Sequence, residues 1–335
     1  MMRRLLFAEE SVMSNALHLL EDLEPSIQEF RDAVLSGLGT RQKTLPCKFF
    51  YDADGSRLFD EICNLPEYYP TRTECRLLGE HAGEIAALVG PRARLIEFGS
   101  GAGVKIRLLL GPLDRPAAYV PIDISRGHLL AAAAELALDF SGLKIMPICA
   151  DYTKPFALPA LSGSRPGIDV GFFPGSTIGN FTPDEARGFL SRVGRMLGRG
   201  SAMVVGVDMP KDESILLSAY NDKAGVTAAF NLNLLIRVNR ELGGNFVLDR
   251  FVHEARWNGV LGRIEMHLVS RCDQEVRIGS DRFTFAANET IHTENSYKYT
   301  IDQFQAMAIG SGYKPKAAWI DEAGLFSVHM LEVHE

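Results

Sequence analysis

The sequence predicts an α/β fold: a mostly parallel sheet with helices between its strands, closed by an antiparallel C-terminal hairpin and interrupted by an inserted α+β lobe. Three observations predict it. Between residues 94 and 208, short apolar runs rich in Val and Ile alternate with helical periods, the sign of a parallel sheet. The run Arg94-Leu95-Ile96-Glu97-Phe98-Gly99-Ser100-Gly101-Ala102-Gly103-Val104-Lys105 reads as a buried strand, a glycine-rich turn and the start of a helix. Near the C-terminus, two strand-like runs, Pro315–Asp321 and Phe326–His334, flank the turn Glu322-Ala323-Gly324.

The elements follow in order. Residues 1–20 read as an N-terminal arm. Its start, Met1-Met2-Arg3-Arg4-Leu5-Leu6-Phe7-Ala8, is like that of a signal peptide, but the apolar run stops at Glu9-Glu10, too short for one. Phe30, Val34, Leu35 and Leu38 recur at three- and four-residue steps and predict a helix within 21–45. Strands follow at Leu95–Phe98, Ala118–Asp123, Lys144–Cys149, Val170–Phe173 and Ala202–Asp208. They are short and apolar, as strands buried on both faces are. Helices lie between them, including Gly127–Phe140 and Pro183–Leu197; Thr182 is the expected N-cap of the latter and Pro183 its first residue.

Residues 212–298 form an insertion long enough for a small core of its own. It is helical over Ser214–Asn239, then strand-like at Phe246–Arg256, Arg263–Arg271, Glu275–Gly279 and Phe283–Phe285. A helix over Tyr299–Ser311 leads into the closing hairpin. The expected division is therefore an arm (1–20), a core with an N-terminal helical cap (21–211), an inserted lobe for substrate recognition (212–298) and the completion of the core (299–335). The insertion leaves from the C-terminal end of a strand, which puts it over the ligand crevice of such a sheet.

The 335 residues are 46% hydrophobic and carry a net charge of −7. The pI is about 5.7 and the mean hydropathy is near zero. The acidic balance and the lack of a basic run argue against a nucleic-acid partner. No stretch approaches the ~20 apolar residues that a membrane helix needs. The cysteines (47, 63, 75, 149 and 272) are scattered and form no C-x-x-C pair, which fits reduced thiols in a cytoplasmic protein. The histidines show no metal-ligand spacing, and no metal is expected. The expectation is a cytoplasmic monomer that acts on a small molecule.

The glycine turn narrows the cofactor. Val120-Pro121-Ile122-Asp123 places a carboxylate about 20 residues after the turn, where it can bind ribose hydroxyls. A dinucleotide fingerprint needs a third glycine where this chain has Val104. Glu97 instead precedes Gly99, Gly101 and Gly103, and an anion there suits a cationic ligand better than a pyrophosphate. The pattern E-x-G-x-G-x-G resembles the first motif of class I S-adenosylmethionine (SAM) methyltransferases. The closing hairpin resembles the end of their Rossmann-like sheet.

Longer strings go further. They are Lys48-Phe49-Phe50-Tyr51-Asp52, Gly55-Ser56-Arg57-Leu58-Phe59-Asp60, Leu65-Pro66-Glu67-Tyr68-Tyr69-Pro70-Thr71-Arg72, Pro174-Gly175-Ser176-Thr177-Ile178-Gly179-Asn180-Phe181, the segment Tyr220–Asn231, and Thr293-Glu294-Asn295-Ser296-Tyr297-Lys298-Tyr299. In this order, over roughly residues 40–335, they resemble the SAM-dependent histidine Nα-methyltransferases of ergothioneine biosynthesis. That family adds three methyl groups to the α-amino group of L-histidine, giving hercynine and S-adenosyl-L-homocysteine by in-line transfer from the sulfonium. The resemblance implies that Tyr68, Asn180 and Tyr220 bind the substrate carboxylate. Gly175 and Tyr51 would lie at the amine, Glu294 and Ser296 at the imidazole nitrogens, and Met266 along the ring. Gly99 and Lys105 would meet the methionine part of SAM, Asp123 the ribose, and Asp151 with Tyr152 the adenine; Glu97 and Gly101 complete the cofactor-binding set. Methylation of another amino acid or aromatic amine, such as tryptophan, is the alternative.

Some of these roles make sense without the resemblance. A neutral imidazole has one N–H donor and one acceptor nitrogen. Residues i and i+2 of an extended segment share a face, so Glu294 and Ser296 can serve one planar ring. Lys105 in the first turn of a helix opposes the helix dipole, which points to a partner or a task. By residue type alone, Tyr68, Tyr69 and Met266 read equally as core residues, Asn180 as a cap near the Pro183 helix and Glu294 as a solvated charge.

Overall fold

The computed structural model describes residues 21–23, 25–161 and 167–334. The expected arm, residues 1–20, lies outside the described residues. The central sheet has eight strands: β1 (Glu21–Leu23), β3 (Arg94–Phe98), β4 (Ala118–Asp123), β5 (Ile148–Ala150), β6 (Asp169–Phe173), β7 (Ala202–Asp208), β13 (Tyr313–Ile320) and β14 (Phe326–Val333). Their order is β1-β5-β4-β3-β6-β7-β14-β13. The first six are parallel, whereas β14 runs antiparallel to β7 and β13 antiparallel to β14. This is the Rossmann-like sheet with a closing hairpin that the sequence predicts.

Alternation along the strands sorts the apolar side chains to two faces. Leu95, Phe172 and Val204 pack with α3 (Tyr69–Val89) and α4 (Val104–Leu110). Their neighbours Ile96, Phe173 and Val205 pack on the other face with α6 (Pro183–Leu197) and α9 (Ile301–Ile309). Every residue of β7 is buried, as a central strand covered on both faces must be. The chain leaves β3 for β4 on one side and returns on the other side at β6. The crevice of such a sheet lies there, beyond the carboxyl ends of the strands.

A second core stands beside this sheet. Phe30, Val34 and Leu38 of α1 (Ile27–Leu38) join Phe49, Phe50 and Tyr68 of the N-terminal segment. The inserted segment adds Phe230, Leu234 and Val238 from α8 (Val226–Leu242), with Ile264, Met266 and Ile291. Its sheet, in the order β2-β12-β9-β8, combines β8 (Phe251–Asn258), β9 (Arg263–Ser270) and β12 (Thr290–Tyr297) with β2 (Lys43–Thr44) from the N-terminal side. The short hairpin β10 (Gln274–Ile278) and β11 (Asp281–Phe285) pairs apart from it. The insertion thus completes its core with residues that precede the main sheet.

The structure corrects several expectations. The single helix over Ser214–Asn239 is two, α7 (Glu213–Tyr220) and α8. The break has a clear cause: the Asp222 carboxylate accepts the N–H groups of Val226 (2.9 Å) and Thr227 (2.8 Å), and Gly225 takes φ +76°. The strand expected at Lys144–Cys149 starts only at Ile148, after Pro147, which cannot donate to a ladder. The strand expected from Phe246 starts at Phe251, because Leu248–Arg250 form a 3-10 turn. The helix expected over Tyr299–Ser311 is shorter and starts after Thr300, which forms a capping box with Gln303. Other boundaries fall close to those expected: Pro183–Leu197 is helical over that whole span, and the helix expected at Gly127–Phe140 is α5 (Arg126–Asp139).

Candidate active site

The glycine-rich turn follows β3 at the crevice. Gly99, Gly101 and Gly103 have φ values of +76°, +48° and +67°, which side-chain-bearing residues adopt only with strain. The Gly101 N–H donates to Asp123 Oδ2 (3.1 Å), and the Ser125 N–H donates to Oδ1 (2.9 Å). Burial raises the Asp123 carboxyl above its ordinary range, against the effect of these two N–H groups. A carboxylate has more acceptor sites than they fill, so ribose hydroxyls have somewhere to bind. The buried Ser100 hydroxyl has no partner among the described residues. Glu97 is buried in β3 and accepts the Tyr119 hydroxyl. Burial pushes its carboxyl up to about 8, and a cationic ligand nearby would draw the proton off.

The remaining expected cofactor residues surround this turn. Tyr152 packs edge-on against Phe98 and Phe173, and its ring would lie 3.7 Å from a Cβ at Gly99. Asp151 accepts from Lys48 Nζ (2.8 Å) and from the Thr153 N–H (2.9 Å), so it is already partnered. Lys105 pairs with Glu74 Oε2 at 2.7 Å, and the same oxygen accepts the Gly175 N–H at 2.8 Å. Glu74, a residue sequence reasoning missed, is fully buried on α3 and ties the helix after the glycine turn to the loop after β6. A Cβ at Gly206 would sit 1.9 Å from Glu74 Oε1, so only glycine fits beneath this carboxylate. The donors, acceptors and side-chain-free turn present here fit SAM.

Beside that crevice lies a cavity. Every residue expected on the substrate side lines it: Tyr51, Tyr68, Gly175, Asn180, Tyr220, Met266, Glu294 and Ser296. None of the expected cofactor residues does, so the two groups of residues form adjoining halves. Phe59, Ile62, Thr177, Ala219, Thr227 and Phe230 complete the wall. Phe59, Thr177, Thr227 and Phe230 fall within the strings quoted above, but none of the six was assigned a role, because apolar and small residues carry little chemical signature.

Local structure places each group. Tyr51 ends a 3-10 turn just before α2 (Ala53–Cys63), whose N-cap Asp52 also accepts from Asn233 Nδ2 (2.8 Å) on α8. Tyr68 stands at the start of α3. Asn180 ends the turn Thr177–Asn180 and does not cap α6; Thr182 does. That turn lies against β12: a Cβ on Gly179 would fall 2.6 Å from the Tyr297 carbonyl oxygen. Met266 and Glu294 are cross-strand partners on β9 and β12, with a register shift just before Glu294. Glu294 and Ser296 then share the face toward the cavity.

The side chains of Tyr51, Tyr68, Asn180 and Glu294, which line the cavity, have no hydrogen-bond partner among the described residues. Burial pushes the Glu294 carboxyl up to about 7, and the nearby Lys298 ammonium offsets only part of this.

Behind Ser296 and Tyr220 runs a buried ion network that the sequence did not reveal. Lys298 Nζ lies 2.7 Å from Asp208 Oδ2, and the Tyr69 hydroxyl donates to Asp208 at 2.7 Å. Lys211 pairs with Asp208 and lies 2.6 Å from the Tyr69 hydroxyl. Despite the cost of burial, the two lysines hold Asp208 below the usual carboxylate range. Tyr69 is therefore an anchor of this network and not part of the cavity wall.

On the opposite face of β9 and β12, donor atoms of Glu265, His267 and His292 lie within 4.8 Å of one another. The pairing of His267 with His292 across the strands makes this group, which linear spacing hides. Glu265 is already engaged by Arg263 (2.6 Å), Asn258 (2.9 Å) and His267 (3.1 Å). The two imidazoles are stacked, 4.8 Å apart, so their in-plane lone pairs do not converge. This arrangement braces the sheet behind the cavity.

Comparison with known proteins places the chain. The model of the family described as "Histidine-specific methyltransferase, SAM-dependent" matches residues 30–333. The chain is 39% identical to the histidine N-alpha-methyltransferase of Mycolicibacterium smegmatis, covering 92% of this chain and 96% of that protein. It is 38% identical to the protein of that name in Mycobacterium tuberculosis, covering 95% and 98%. A more distant relative is the 4-dimethylallyltryptophan N-methyltransferase of Epichloe festucae var. lolii, 26% identical over 87% of this chain and 91% of the relative. With a glycine turn and a substrate cavity side by side on a Rossmann-like sheet, and a family match across nearly its whole length, the chain belongs to the histidine-specific, SAM-dependent methyltransferases.

Proposed function

We propose that the protein methylates the α-amino group of L-histidine three times in succession, forming hercynine. One observation carries the reading: Glu294 and Ser296 project from one face of β12 into a cavity with an aromatic opposite wall. A carboxylate and a hydroxyl at that spacing match the two nitrogens of an imidazole. An indole offers a single N–H and would leave Ser296 without a task.

The residues divide the work. Glu294 accepts the ring N–H, Ser296 serves the other nitrogen, and Met266 packs along the ring. Tyr68, Asn180 and Tyr220 hold the carboxylate. The amine then lies toward Gly175 and Tyr51. Gly175 has φ +78° and no side chain, which leaves space for the methyl groups already added. The Tyr51 ring can face the developing trimethylammonium charge.

The glycine turn, Glu97, Lys105, Asp123, Asp151 and Tyr152 hold SAM, which supplies an activated methyl group on a cationic sulfonium. With so reactive a donor, the chain's contribution is placement, and good placement alone can be worth about 7–11 kcal/mol. The amine must be neutral to react, and an α-amino group has a pKa near 8. The rate therefore rises with pH through neutrality. The inserted segment supplies Tyr220, Met266, Glu294 and Ser296, which makes residues 212–298 the lobe that reads the substrate. The reading takes the protein as a monomer working in the cytoplasm. No helix among the described residues is long and apolar enough to cross a membrane.

The test is mass spectrometry of L-histidine incubated with the protein and SAM, with L-tryptophan and histamine alongside. Gains of one, two and three methyl groups on histidine alone are expected. Unmodified histidine, or methylated tryptophan, would refute the substrate.

A further inference from the structure

Glu294 and Ser296 reach the cavity only because β12 carries a bulge. His292 pairs with His267 and Glu294 with Met266, so Thr293 is an extra residue with no opposite number on β9. Side chains alternate along a strand, and one extra residue moves all that follow to the other face. Ile291 points into the second core with Ile264 and Met266. Strict alternation would place Glu294 and Ser296, three and five residues further on, on the opposite face beside His267 and His292. With the bulge they line the cavity instead.

Two contacts hold the bulge, one from each face. Inside, the buried Thr293 hydroxyl lies 2.8 Å from Asn231 Oδ1 on α8 and 3.0 Å from the Met266 carbonyl oxygen, acceptors that share its one proton. Outside, His292 Nε2 donates to the Glu294 carbonyl oxygen at 3.0 Å. Asn231 cannot turn away. It is fully buried, and its amide nitrogen donates to the His267 carbonyl oxygen (3.1 Å) and to His253 Nδ1 (2.8 Å). A carbonyl oxygen only accepts, so the nitrogen end of the amide must face His267. For the same reason His253 Nε2, 2.8 Å from the Tyr220 carbonyl oxygen, carries the hydrogen of its ring. Burial lowers His253 and His292 below the usual histidine range, so each ring is neutral at pH 7 and has a single N–H to give. One amide thus joins the bulge, the strand of Met266 and, through His253, the end of α7 at Tyr220.

We propose that Asn231 and Thr293 are positioning residues for the substrate: their hydrogen bond locks the β12 bulge at the place that turns Glu294 and Ser296 to the cavity. This rests on the reading of the substrate as histidine, and extends it from the residues that touch the ring to those that aim them. Neither residue lines the cavity itself. Without the lock the extra residue can shift along β12, and each residue it passes changes face.

The test is calorimetry with S-adenosyl-L-homocysteine present, comparing L-histidine with β-(2-thienyl)-L-alanine, an amino acid of similar shape whose ring has no nitrogen. The parent protein should prefer histidine by roughly tenfold or more, since the analogue leaves the groups that pair with the ring nitrogens unmatched. Thr293→Val removes only the hydroxyl and should cut that preference at least about fivefold, the scale of one hydrogen bond. Thr293→Ser keeps the hydroxyl and should stay within about twofold of the parent. Both variants should bind the cofactor product as the parent does. A loss of stability alone would leave the ratio of the two affinities unchanged. A Thr293→Val protein that keeps the parent preference, or a Thr293→Ser protein that loses it equally, would overturn the proposal. If Thr293→Val fails to fold, His292→Phe takes its place: it keeps a flat ring against His267 but removes the outer donor, and an unchanged preference overturns the proposal. A parent that binds histidine no better than the thienyl analogue overturns the substrate reading itself, before any variant is compared.

Discussion

Replacing Glu294 by Gln should make the protein more stable and a poorer binder of histidine. An ordinary glutamate ionises near 4.5, and burial pushes Glu294 up to about 7. The fold therefore holds this proton more tightly than the unfolded chain does. Below about pH 4.5 both states are protonated and the group costs nothing. Between 4.5 and 7 the unfolded chain ionises while the folded one resists, so the cost grows; above about 7 it is constant. At about 1.36 kcal/mol per pH unit, the full cost is roughly 3 kcal/mol. Gln has nearly the same shape and does not ionise, so the variant escapes it.

Unfolding entropy of about 2 cal/mol/K per residue makes 1 kcal/mol worth roughly 1.4 °C in a chain of 335 residues. Without histidine, Glu294→Gln should thus melt about 4 °C above the parent at pH 8 and roughly level with it near pH 4.5. Parallel thermal melts from pH 4.5 to 8, with and without histidine, give the answer. Histidine should reverse the order, because it stabilises the parent far more. Losing a hydrogen bond to a charged acceptor should weaken its binding by about 1.5–3 kcal/mol. A melting difference that does not change with pH, or a variant less stable than the parent at pH 8, would refute the reasoning.

Other predictions follow from the same geometry. Asp123→Ala should raise the Kd for SAM at least tenfold and leave histidine binding to the cofactor-loaded protein much less affected; an unchanged SAM Kd in calorimetry would remove Asp123 from the cofactor site. Gly179→Ala should cost about 1–3 kcal/mol, because its Cβ would lie 2.6 Å from the Tyr297 carbonyl oxygen; a denaturant midpoint equal to the parent's would show that the turn shifts freely. Glu74→Ala leaves the mostly buried Lys105 ammonium without its carboxylate and should cost about 3–5 kcal/mol, with loss of SAM binding in whatever still folds. Initial rates at saturating substrates should increase from pH 6.5 to 8.5; a flat profile would mean that neither the amine nor Glu294 limits the reaction.

Much of the candidate site was legible before the fold was known, because the chemistry proposed for it is local in the chain. The glycine turn, the carboxylate about 20 residues later, and the Glu294–Ser296 spacing are contiguous patterns set by backbone geometry. The cavity gathers every residue the strings marked on the substrate side. The strand-and-helix order was legible for the same reason, since burial on both faces of a parallel sheet writes continuous apolar runs. Local signals also failed locally: the Asp222 cap that breaks the inserted helix and Pro147, which delays β5, were in view but overridden by the apolar period around them.

What only the tertiary structure decided is where charges meet. Lys298 and Asp208 lie 90 positions apart, and Lys105 and Glu74 belong to different helices. In sequence Lys298, Asp208 and Glu74 are ordinary charged residues, and Lys105 signals only that it has a partner or a task, not which partner. Their partners are chosen by which strand ends and helices the sheet brings together, and burial then makes each charge depend on its partner. The same holds for the six cavity-wall residues to which the sequence assigned no role. An apolar side chain joins a cavity wall only through the space it shares, and that space exists only once the inserted residues have packed with the N-terminal segment in one core.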